Sequence, residues 1–433
     1  MKILFWCYQA LWTVAVLLSM PVLPFVRKGR LLARLFQDPR PGPEVGGVIW
    51  VHALSLGEVV SAVPLVRALG EGFPQRKILF TATTAQGMET AEKELGGTVW
   101  ALRPMPLDFW WSVRRFVRRT NPSVFLLVET DIWPGLLAHL KNKGVSAILV
   151  NGRVSPRTMR SYARFKPVFR HIYKGFHRCL MQTDLDRDRL LRLGLDQGRV
   201  VTAGNLKFDR AWEPLSPEER SGWFRTLGLE PERPVLVAGS THPGEEEMVL
   251  EACERARRVA GDFCLIIAPR RVERAEEVAR AAGARGFRTA MRSAGPRRGP
   301  PWDVLILDTI GELGRVYGLG HAAFVGGSLV PFGGHNLLEP ASFGSPVLFG
   351  PYTHNFEEMA EALLRAGGGR RVRDEEEMAA ALRDIFREPD AARAMGARAR
   401  GFVEENRGAL ARVLDVVAQV LENAEGTSTG GAS

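Results

Sequence analysis

The sequence predicts an α/β protein with two lobes, each built on a parallel sheet whose strands are joined by helices. The first observation is an alternation of short, β-rich apolar runs with helical patterns, which begins near Gly46. The second is a break at a Pro- and Glu-rich stretch, Glu213–Glu219, followed by Pro231–Pro234. The third is that the alternation resumes at Val235. A chain of 433 residues has room for two or three domains, and the break marks a boundary between two of them.

The chain begins with an uncharged stretch, Ile3–Phe25, in which 18 of 23 residues are apolar. Such a stretch is long enough to cross a bilayer. Four basic residues follow it within ten positions, whereas only Lys2 precedes it, so the positive-inside rule places the rest of the chain in the cytoplasm. No small-residue cleavage site follows, and we therefore interpret residues 1–28 as an uncleaved membrane anchor that spans the bilayer or lies in it. The alternative is a hairpin of a globular domain.

The first lobe is predicted to comprise residues 29–210. Its predicted strands are Val48–Val51, Lys77–Phe80, Ser123–Val128 and Ser146–Val150, with a helix over Glu58–Leu69 after the first of them. A further helix over Phe109–Arg119 has apolar residues at 109, 113, 116 and 117, which form one stripe that predicts a core-facing side.

Residues 211–232 are predicted to form a linker with a short helix, and residues 233–425 the second lobe. Its predicted strands are Val235–Ala238, Cys264–Ala268, Val304–Leu307, Ala323–Val325 and Val347–Phe349. Residues 426–433, rich in Ser, Thr and Gly, are predicted to be a flexible tail. Ligands of such sheets bind beyond the carboxyl ends of the strands, so a cleft between two lobes is the expected place for a site.

Composition and motifs exclude several classes of protein. A net charge of +10 favours an anionic partner: a nucleic acid, an acidic membrane surface or a phosphorylated substrate. The four cysteines lack the spacing of a zinc site, an iron–sulfur cluster or a disulfide framework. The sequence contains neither GxxxxGK[ST] nor GxGxxG, which argues against a P-loop ATPase and a typical dinucleotide-binding domain.

Three predicted helix starts carry a capping-box pattern: Ser55–Glu58, Thr309–Glu312 and Asn336–Glu339. Each box by itself indicates only a helix start. Their position directly after strands or glycine-rich turns also favours binding of an anion, because free N–H groups and the helix dipole face a ligand there.

Charged residues follow several of the predicted strands. Lys207 and Arg270 lie in such loops, where cations could converge on one phosphate. Glu58 and Glu129 would both face the crevice if their strands are neighbours, and a carboxylate at a helix start can act as a general base. His242 also follows a strand. Its position is equally compatible with a structural role and with contact to a ligand.

Two stretches of the first lobe are strongly basic. Arg114, Arg115, Arg118 and Arg119 lie off the apolar stripe of their helix, and a second stretch runs over Arg153–Arg170. One interpretation is that these basic residues lie on ordinary solvent-exposed helix faces. Downstream of a membrane anchor, they also fit contact with anionic lipid headgroups.

The strand-end motifs form an ordered set that spans nearly the whole chain. They are Val51–Glu58, Glu129–Pro134, Asn151–Ser155, Gly204–Asp209, Gly239–His242 with Gly244-Glu245, Ala268–Arg270, Asp308–Leu313, Phe324–Leu329 and Gly333–Glu339 with Gly350-Pro351 and Asn355-Phe356. This set resembles that of the bacterial Kdo transferases, which add 3-deoxy-D-manno-octulosonic acid (Kdo) to a lipid A precursor. Two stretches depart from the family pattern: Leu35–Pro43 is not the stretch rich in Arg, Trp and Tyr that is expected there, and Arg271-Val272 replaces His-Pro.

The resemblance implies a GT-B fold, in which two Rossmann-like domains face a central cleft and the second domain holds the nucleotide. It implies an inverting, metal-independent glycosyltransferase without a cofactor, which uses CMP-Kdo as donor and a lipid A precursor, lipid IVA, as acceptor in lipopolysaccharide core biosynthesis. It also implies a place at the bacterial inner membrane, with anionic lipids as partners and the catalytic domains on the cytoplasmic side.

The resemblance also implies roles for single residues. Glu58 matches the general base, and Glu129 and Lys207 match positions that support the transition state. The positions that match CMP-binding segments are Pro269, Arg270, Ile310, Gly311, Glu312, Asn336, Leu337, Leu338 and Glu339.

Two alternatives remain at this point. One is a GT-B glycosyltransferase that uses a different nucleotide sugar, such as a UDP-sugar. The other is a basic nucleic-acid-binding protein at the membrane, which would leave the glycine and glutamate motifs without a role, and no nucleic-acid-binding module is recognised in the sequence.

Overall fold

The structure is a computed structural model that describes residues 2–19, 34–35, 47–129, 131–209, 214–230, 232–295 and 302–429. The chain forms two compact units. The first consists of Met1–Arg210 together with Arg407–Ser433, and the second of Ala211–Asn406.

The first unit is built on a seven-stranded sheet in which the strands pair in parallel. Its strands are β1 (Val48–Ala53), β2 (Lys77–Ala82), β3 (Ala101–Pro104), β4 (Pro122–Val128), β5 (Ser146–Gly152), β6 (Arg178–Met181) and β7 (Val200–Thr202). They lie in the order β3-β2-β1-β4-β5-β6-β7. Central strands are apolar on both faces: Ile49 and Val51 pack into one buried cluster, and Val48 and Trp50 into another. Such two-sided burial is typical of a parallel sheet covered by helices.

Helices connect these strands and cover the sheet. The helices of the first unit before the crossover are α1 (Lys2–Ser19), α2 (Leu56–Gly72), α3 (Ala85–Leu95), α4 (Trp110–Thr120), α5 (Pro134–Asn142), α6 (Pro156–Arg164), α7 (Lys166–Tyr173) and α8 (Asp184–Leu191). The predicted core-facing stripe of α4 is confirmed, since Val113, Phe116 and Val117 are buried.

The second unit repeats the plan with another seven-stranded parallel sheet. Its strands are β8 (Val235–Thr241), β9 (Cys264–Pro269), β10 (Thr289–Met291), β11 (Val304–Ile306), β12 (Ala322–Val325), β13 (Val347–Phe349) and β14 (Gly369–Arg371). They lie in the order β10-β11-β9-β8-β12-β13-β14, so the chain starts in the middle and builds outward to one side and then the other. This is the doubly wound arrangement.

The helices that belong to this part of the chain and to the crossover are α9 (Pro217–Leu227), α10 (Glu245–Ala260), α11 (Ala275–Ala284), α12 (Leu313–Val316), α13 (Leu338–Ser342), α14 (Glu357–Arg365), α15 (Glu375–Arg387), α16 (Pro389–Glu405) and α17 (Ala409–Thr429).

The observed division differs from the predicted one at its C-terminal side. The predicted second lobe runs to residue 425, whereas α17 belongs to the first unit and packs Val413 and Val417 into its core. Asp209 accepts hydrogen bonds from the backbone N–H groups of Gly408 (2.6 Å) and Leu410 (2.7 Å), which caps the start of α17. The helix also continues to Thr429, into the predicted tail. Residues 430–433 lie outside the described residues.

The predicted linker also belongs to a folded unit. Its short helix is α9, which begins with a complete capping box between Ser216 and Glu219. Phe224 and Leu227 are buried in the core of the second unit, so this stretch is part of that unit and not a free connection.

The N-terminal segment forms α1 over Lys2–Ser19, and residues 20–28 of the predicted anchor lie outside the described residues. In the described part of the chain, no helix combines the length and the apolar character needed to cross a membrane. α1 contacts the rest of the first unit through a hydrogen bond from the Tyr8 hydroxyl to Asp108 Oδ2 (2.7 Å) and one from the Trp110 backbone N–H to Gln9 Oε1 (3.2 Å).

Candidate active site

Glu58 lies where β1 gives way to α2, at the carboxyl edge of the first sheet. Its side chain is only 8% exposed, and Oε2 accepts a hydrogen bond from the backbone N–H of Leu54 (2.5 Å). The predicted capping box is half formed, because Glu58 reaches back into the turn while the Ser55 side chain makes no capping hydrogen bond. The strand end and the helix start therefore fix the carboxylate beside the sheet edge.

Two further carboxylates follow β4, the neighbour of β1, as the sequence anticipates for Glu129. Glu129 adopts a left-handed backbone conformation (φ 66°), which is costly for a residue with a side chain and is typical of functional sites. Asp131 Oδ2 contacts His52 Nε2 (3.1 Å) and accepts a hydrogen bond from Trp133 Nε1 (2.9 Å). These contacts hold the Asp131 carboxylate in place next to β1.

The surroundings of Glu58 make it a weaker acid than an ordinary glutamate. Burial raises its pKa to about 7, the backbone N–H of Leu54 opposes that rise, and the negative charges of Glu129 and Asp131 add to it. A carboxylate whose pKa lies near neutral pH can accept a proton from a weakly acidic hydroxyl and release it again. The geometry therefore suits Glu58 to general-base chemistry.

Lys207 lies in the loop after β7, and Asn151 links that loop to Glu129. Asn151 is buried at the end of β5 with a left-handed backbone (φ 57°). Its Oδ1 accepts a hydrogen bond from the N–H of Leu206 (3.1 Å), and its Nδ2 lies 3.5 Å from Glu129 Oε1. The structure thus connects the Lys207 loop with the end of β4, through a residue that was not singled out from the sequence.

In the second unit, the ends of β8 and β9 lie side by side. Pro269 is the last residue of β9, and the exposed Arg270 donates its backbone N–H to the carbonyl of Thr241 at the end of β8 (2.9 Å). Ser240 is bulged out of the strand register with φ 56°. A Cβ at Gly326 would lie 2.4 Å from the Ser240 carbonyl oxygen, so only glycine allows the loop after β12 to pass this bulge.

Glu245, at the start of α10, binds several backbone groups at the same edge of the sheet. Its buried carboxylate accepts hydrogen bonds from the backbone N–H groups of His242 (2.9 Å), Gly327 (2.7 Å), Ser328 (2.9 Å) and Leu329 (2.8 Å). One side chain therefore ties the turn after β8 to the glycine-rich loop after β12. This carboxylate therefore fixes the position of the loop.

Two histidines meet at this edge. His242 Nε2 and His335 Nε2 are 2.9 Å apart, and the His242 ring stacks on Phe332 with 4.1 Å between ring centroids. Burial lowers the pKa of His242, and the positive charges of Arg270, Arg271 and Arg274 lower it further. His335, which the sequence analysis did not select, has a pKa lowered to about 4 by burial and then by Arg270 and His242.

The second predicted capping box does not form as a box. Glu312 pairs with the Arg292 guanidinium (2.7 and 3.0 Å) and contacts the Thr309 hydroxyl, because an arginine offers a stronger, charge-assisted partner than backbone N–H groups. Ile310 is 80% exposed and Gly311 has φ 92°. α12 begins only at Leu313, so residues 310–312 form a turn in which Ile310 and Gly311 are exposed and Glu312 is half-buried.

The third box is also incomplete. Asn336 Oδ1 accepts a hydrogen bond from the N–H of Leu338 (3.1 Å), and Asn336 Nδ2 lies 3.5 Å from Glu339 Oε1. The side chains of Leu337 and Leu338 are buried, so those two residues present backbone groups only. The negative charge of Glu339 reaches buried Tyr317, whose pKa is raised above its ordinary value by burial and then by that charge.

The structure therefore places the predicted residues after strands of one sheet in each unit. Glu58, Glu129 and Lys207 lie at the carboxyl edge of the first sheet, and the predicted nucleotide-binding positions lie in the second unit. Residues that sequence reasoning did not select are His52, Asp131, Asn151, Glu245 and His335. All five stand inside the quoted strand-end motifs, and that position could have flagged them. Within the described residues, no group of three or more His, Cys, Asp and Glu side chains is placed to hold a metal ion.

Comparison with known proteins identifies the family. The family model of 3-deoxy-D-manno-octulosonic-acid transferase (kdotransferase) matches residues 29–210. A 3-deoxy-D-manno-octulosonic acid transferase of Bordetella pertussis is 36% identical over 390 residues, covering 87% of this chain and 88% of the relative. One of Haemophilus influenzae is 32% identical over 376 residues, covering 86% and 87%.

Solved structures support the architecture alone. The UDP-GlcNAc 2-epimerase from Neisseria meningitidis has a TM-score of 0.58 at 13% identity, covering 86% of this chain and all of that one. A glycosyltransferase from Rickettsia africae has a TM-score of 0.55 at 13% identity, covering 87% and 99%. The two parallel-sheet units thus have the GT-B-like fold of such enzymes. The sequence relatives show that the chain belongs to the 3-deoxy-D-manno-octulosonic acid transferase family.

Proposed function

We propose that this protein transfers Kdo from CMP-Kdo to a lipid A precursor, lipid IVA, in lipopolysaccharide core biosynthesis, and releases CMP. Membership of the Kdo transferase family supports the sugar that is transferred. The observation that carries the mechanism is the buried carboxylate of Glu58, whose pKa of about 7 suits a general base at neutral pH.

In this mechanism, Glu58 removes the proton from an acceptor hydroxyl as the hydroxyl oxygen forms a bond to the anomeric carbon of the donor. The bond from that carbon to the phosphate oxygen breaks, its electron pair leaves with CMP, and the configuration inverts. Arg270 supplies positive charge for the leaving phosphate, and Glu129 and Lys207 support the transition state. The turn Ile310–Glu312 and the segment Asn336–Glu339 hold the nucleotide.

The protein is proposed to work at the cytoplasmic side of the bacterial inner membrane. α1 supports this, because Leu11, Val14, Leu17 and Leu18 are exposed apolar side chains on a helix whose polar residues Tyr8 and Gln9 contact the protein. An exposed row of apolar side chains of this kind suits contact with the membrane interface. Exposed arginines on α4 add an attraction to anionic lipid headgroups.

The test is the mass of the lipid product. Purified full-length protein, a CMP-Kdo-generating system and lipid IVA should yield a product heavier by one or more Kdo residues. Matched reactions with UDP-sugars should leave lipid IVA unchanged. Transfer from a UDP-sugar in place of CMP-Kdo would contradict the proposed donor and favour a different GT-B glycosyltransferase.

A further inference from the structure

We propose that His242 and His335 together form a proton-coupled anion site, which binds an oxyanion of the donor nucleotide sugar and takes up one proton as it does so. The inference rests on the proposed function, because it assumes that the second unit binds this nucleotide. It assigns a role to two residues outside the predicted nucleotide-binding segments.

The contact between the two rings defines how many protons they carry. A hydrogen bond at 2.9 Å between two Nε2 atoms needs one N–H and one lone pair. When both rings are neutral, the ring that donates has an unprotonated Nδ1, and the ring that accepts carries its proton on Nδ1. The pair therefore holds two protons and can take one more, at the Nδ1 of the donating ring.

The pair lies where a ligand of this fold is expected. His242 follows β8 and His335 follows β12, and these two strands are neighbours at the point where the sheet order reverses. Ligands of doubly wound sheets bind beyond the strand ends at this point. A Cβ at Gly327 would lie 3.1 Å from the His335 ring and 3.4 Å from the His242 ring, so the loop backbone packs directly against both imidazoles.

The charges around the pair are mostly positive. Arg270, Arg271 and Arg274 lower the pKa of His242, and Arg270 lowers that of His335. Of the nearby carboxylates, Glu245 is bound by four backbone N–H groups and Glu246 by Arg274 and Thr241. Both carboxylates are therefore engaged within the fold, and the arginines favour the neutral form of both rings.

An oxyanion bound among these groups reverses the field on the imidazoles. A negative charge within hydrogen-bonding distance favours the charged ring and raises its pKa by about 1–3 units. Because the bound state then holds the extra proton more tightly, binding must strengthen as the pH falls through the raised pKa. Without this coupling, the same arginines would make the rings poor anion ligands near neutral pH.

The direct test follows the imidazole Cε1–H resonances of the full chain by NMR as the pH is varied. We expect the pKa of the pair to rise when CMP is bound and to stay unchanged with cytidine, which has no phosphate. A rise that needs free Kdo together with CMP identifies the sugar carboxylate as the oxyanion instead. Bound CMP with an unchanged pKa in both conditions overturns this inference alone, whereas a protein that does not bind CMP overturns the proposed function as well.

A second measurement uses His335→Gln and His242→Gln, in which the side chain keeps a hydrogen-bonding group but cannot gain a proton. The ratio of wild-type to variant affinity for CMP should fall by about tenfold between pH 6 and pH 8. This is the upper end of the effect expected from a nearby charge. His171→Gln, an exposed histidine of the first unit, is the matched control. Equal cytidine affinity shows that the variants are folded, and an identical pH dependence in wild type and variants overturns the proposal.

Discussion

At the residue scale, the pKa of Glu58 is set by opposing effects of its surroundings. Burial and the charges of Glu129 and Asp131 favour its protonated form, and the N–H of Leu54 favours the carboxylate. The raised pKa is present in the folded protein only. Ionised Glu58 therefore destabilises the fold as the pH rises through about 7, and this is the pH range in which it can act as a base.

Removing the charge of Glu129 should shift the pH dependence of catalysis. For wild type, kcat/KM is expected to rise with pH through an apparent pKa of about 7, because the base must be ionised. Glu129→Gln removes a negative charge that opposes this ionisation, so the rise should move to lower pH. Glu92→Gln, an exposed carboxylate on α3, is the control. A profile that stays in place in the Glu129 variant would show that the two carboxylates are not coupled.

Arg270 should contribute to nucleotide affinity. Arg270→Ala removes a cation directly after β9, and loss of a charge-assisted hydrogen bond costs about 1.5–3 kcal/mol. We expect CMP affinity, measured by calorimetric titration, to fall about 10- to 100-fold. Arg280→Ala, an exposed arginine on α11, should leave it unchanged. Equal CMP affinity in both variants would remove Arg270 from the nucleotide site.

At the element scale, the nine strands expected from the sequence all occur. The five that were missed, β3, β6, β7, β10 and β14, have three or four residues and lie at or next to the sheet edges. A central strand is apolar along its length because both faces are buried, whereas a short edge strand carries too few apolar residues to stand out.

The candidate site was predictable in part for a related reason. The strand-end positions of Glu58 and Glu129 follow from the alternation of strands and helices. His242 and His335, which are in contact, lie 93 positions apart in the sequence. The Glu245 carboxylate binds three loop N–H groups that lie about 83 positions from it. Sequence spacing does not reveal such contacts. The box at Thr309–Glu312 did not form because Glu312 pairs with Arg292. The box at Asn336–Glu339 did not form because the helix begins later, at Leu338.

The cap on α17 should stabilise the first unit. Asp209→Ala leaves the N–H groups of Gly408 and Leu410 without this acceptor, and loss of an N-terminal cap costs about 0.5–2 kcal/mol. The free energy of unfolding, measured with denaturant, should fall by that amount. Asp415→Ala, at an exposed position of the same helix, is the control. Equal stability of the two variants would show that the cap contributes nothing.

At the scale of the whole molecule, the chain passes between the units twice. It leaves the first unit at residue 210 and returns at residue 407. The returning helix packs Val413, Val417 and Leu421 against the first sheet, and Arg412 Nε donates to the carbonyl of Ala203 in the loop before Lys207 (2.7 Å). The C-terminal helix therefore supports the loop that carries Lys207.

Association with lipid should depend on the first unit and on salt. We expect the full chain to sediment with anionic liposomes, and less so as salt is raised, because ions screen surface cations. Replacing the exposed Arg114 and Arg118 of α4 with Ser should weaken binding by about 1 kcal/mol per residue. Arg280→Ser with Arg383→Ser, exposed in the second unit, is the matched control. The same sedimentation in both double variants would mean that α4 presents an ordinary solvated surface.

The most direct test of Glu58 as the base of a Kdo transferase compares wild type with Glu58→Gln in one assay. Glutamine keeps the size of the side chain and an oxygen for the N–H of Leu54, so folding and CMP affinity should be preserved. Transfer of Kdo from CMP-Kdo to lipid IVA, measured by mass spectrometry of the product, should fall by about 10²–10⁴-fold, the range for loss of a general base. A Glu58→Gln protein that binds CMP and transfers Kdo at a rate close to that of wild type would contradict this mechanism.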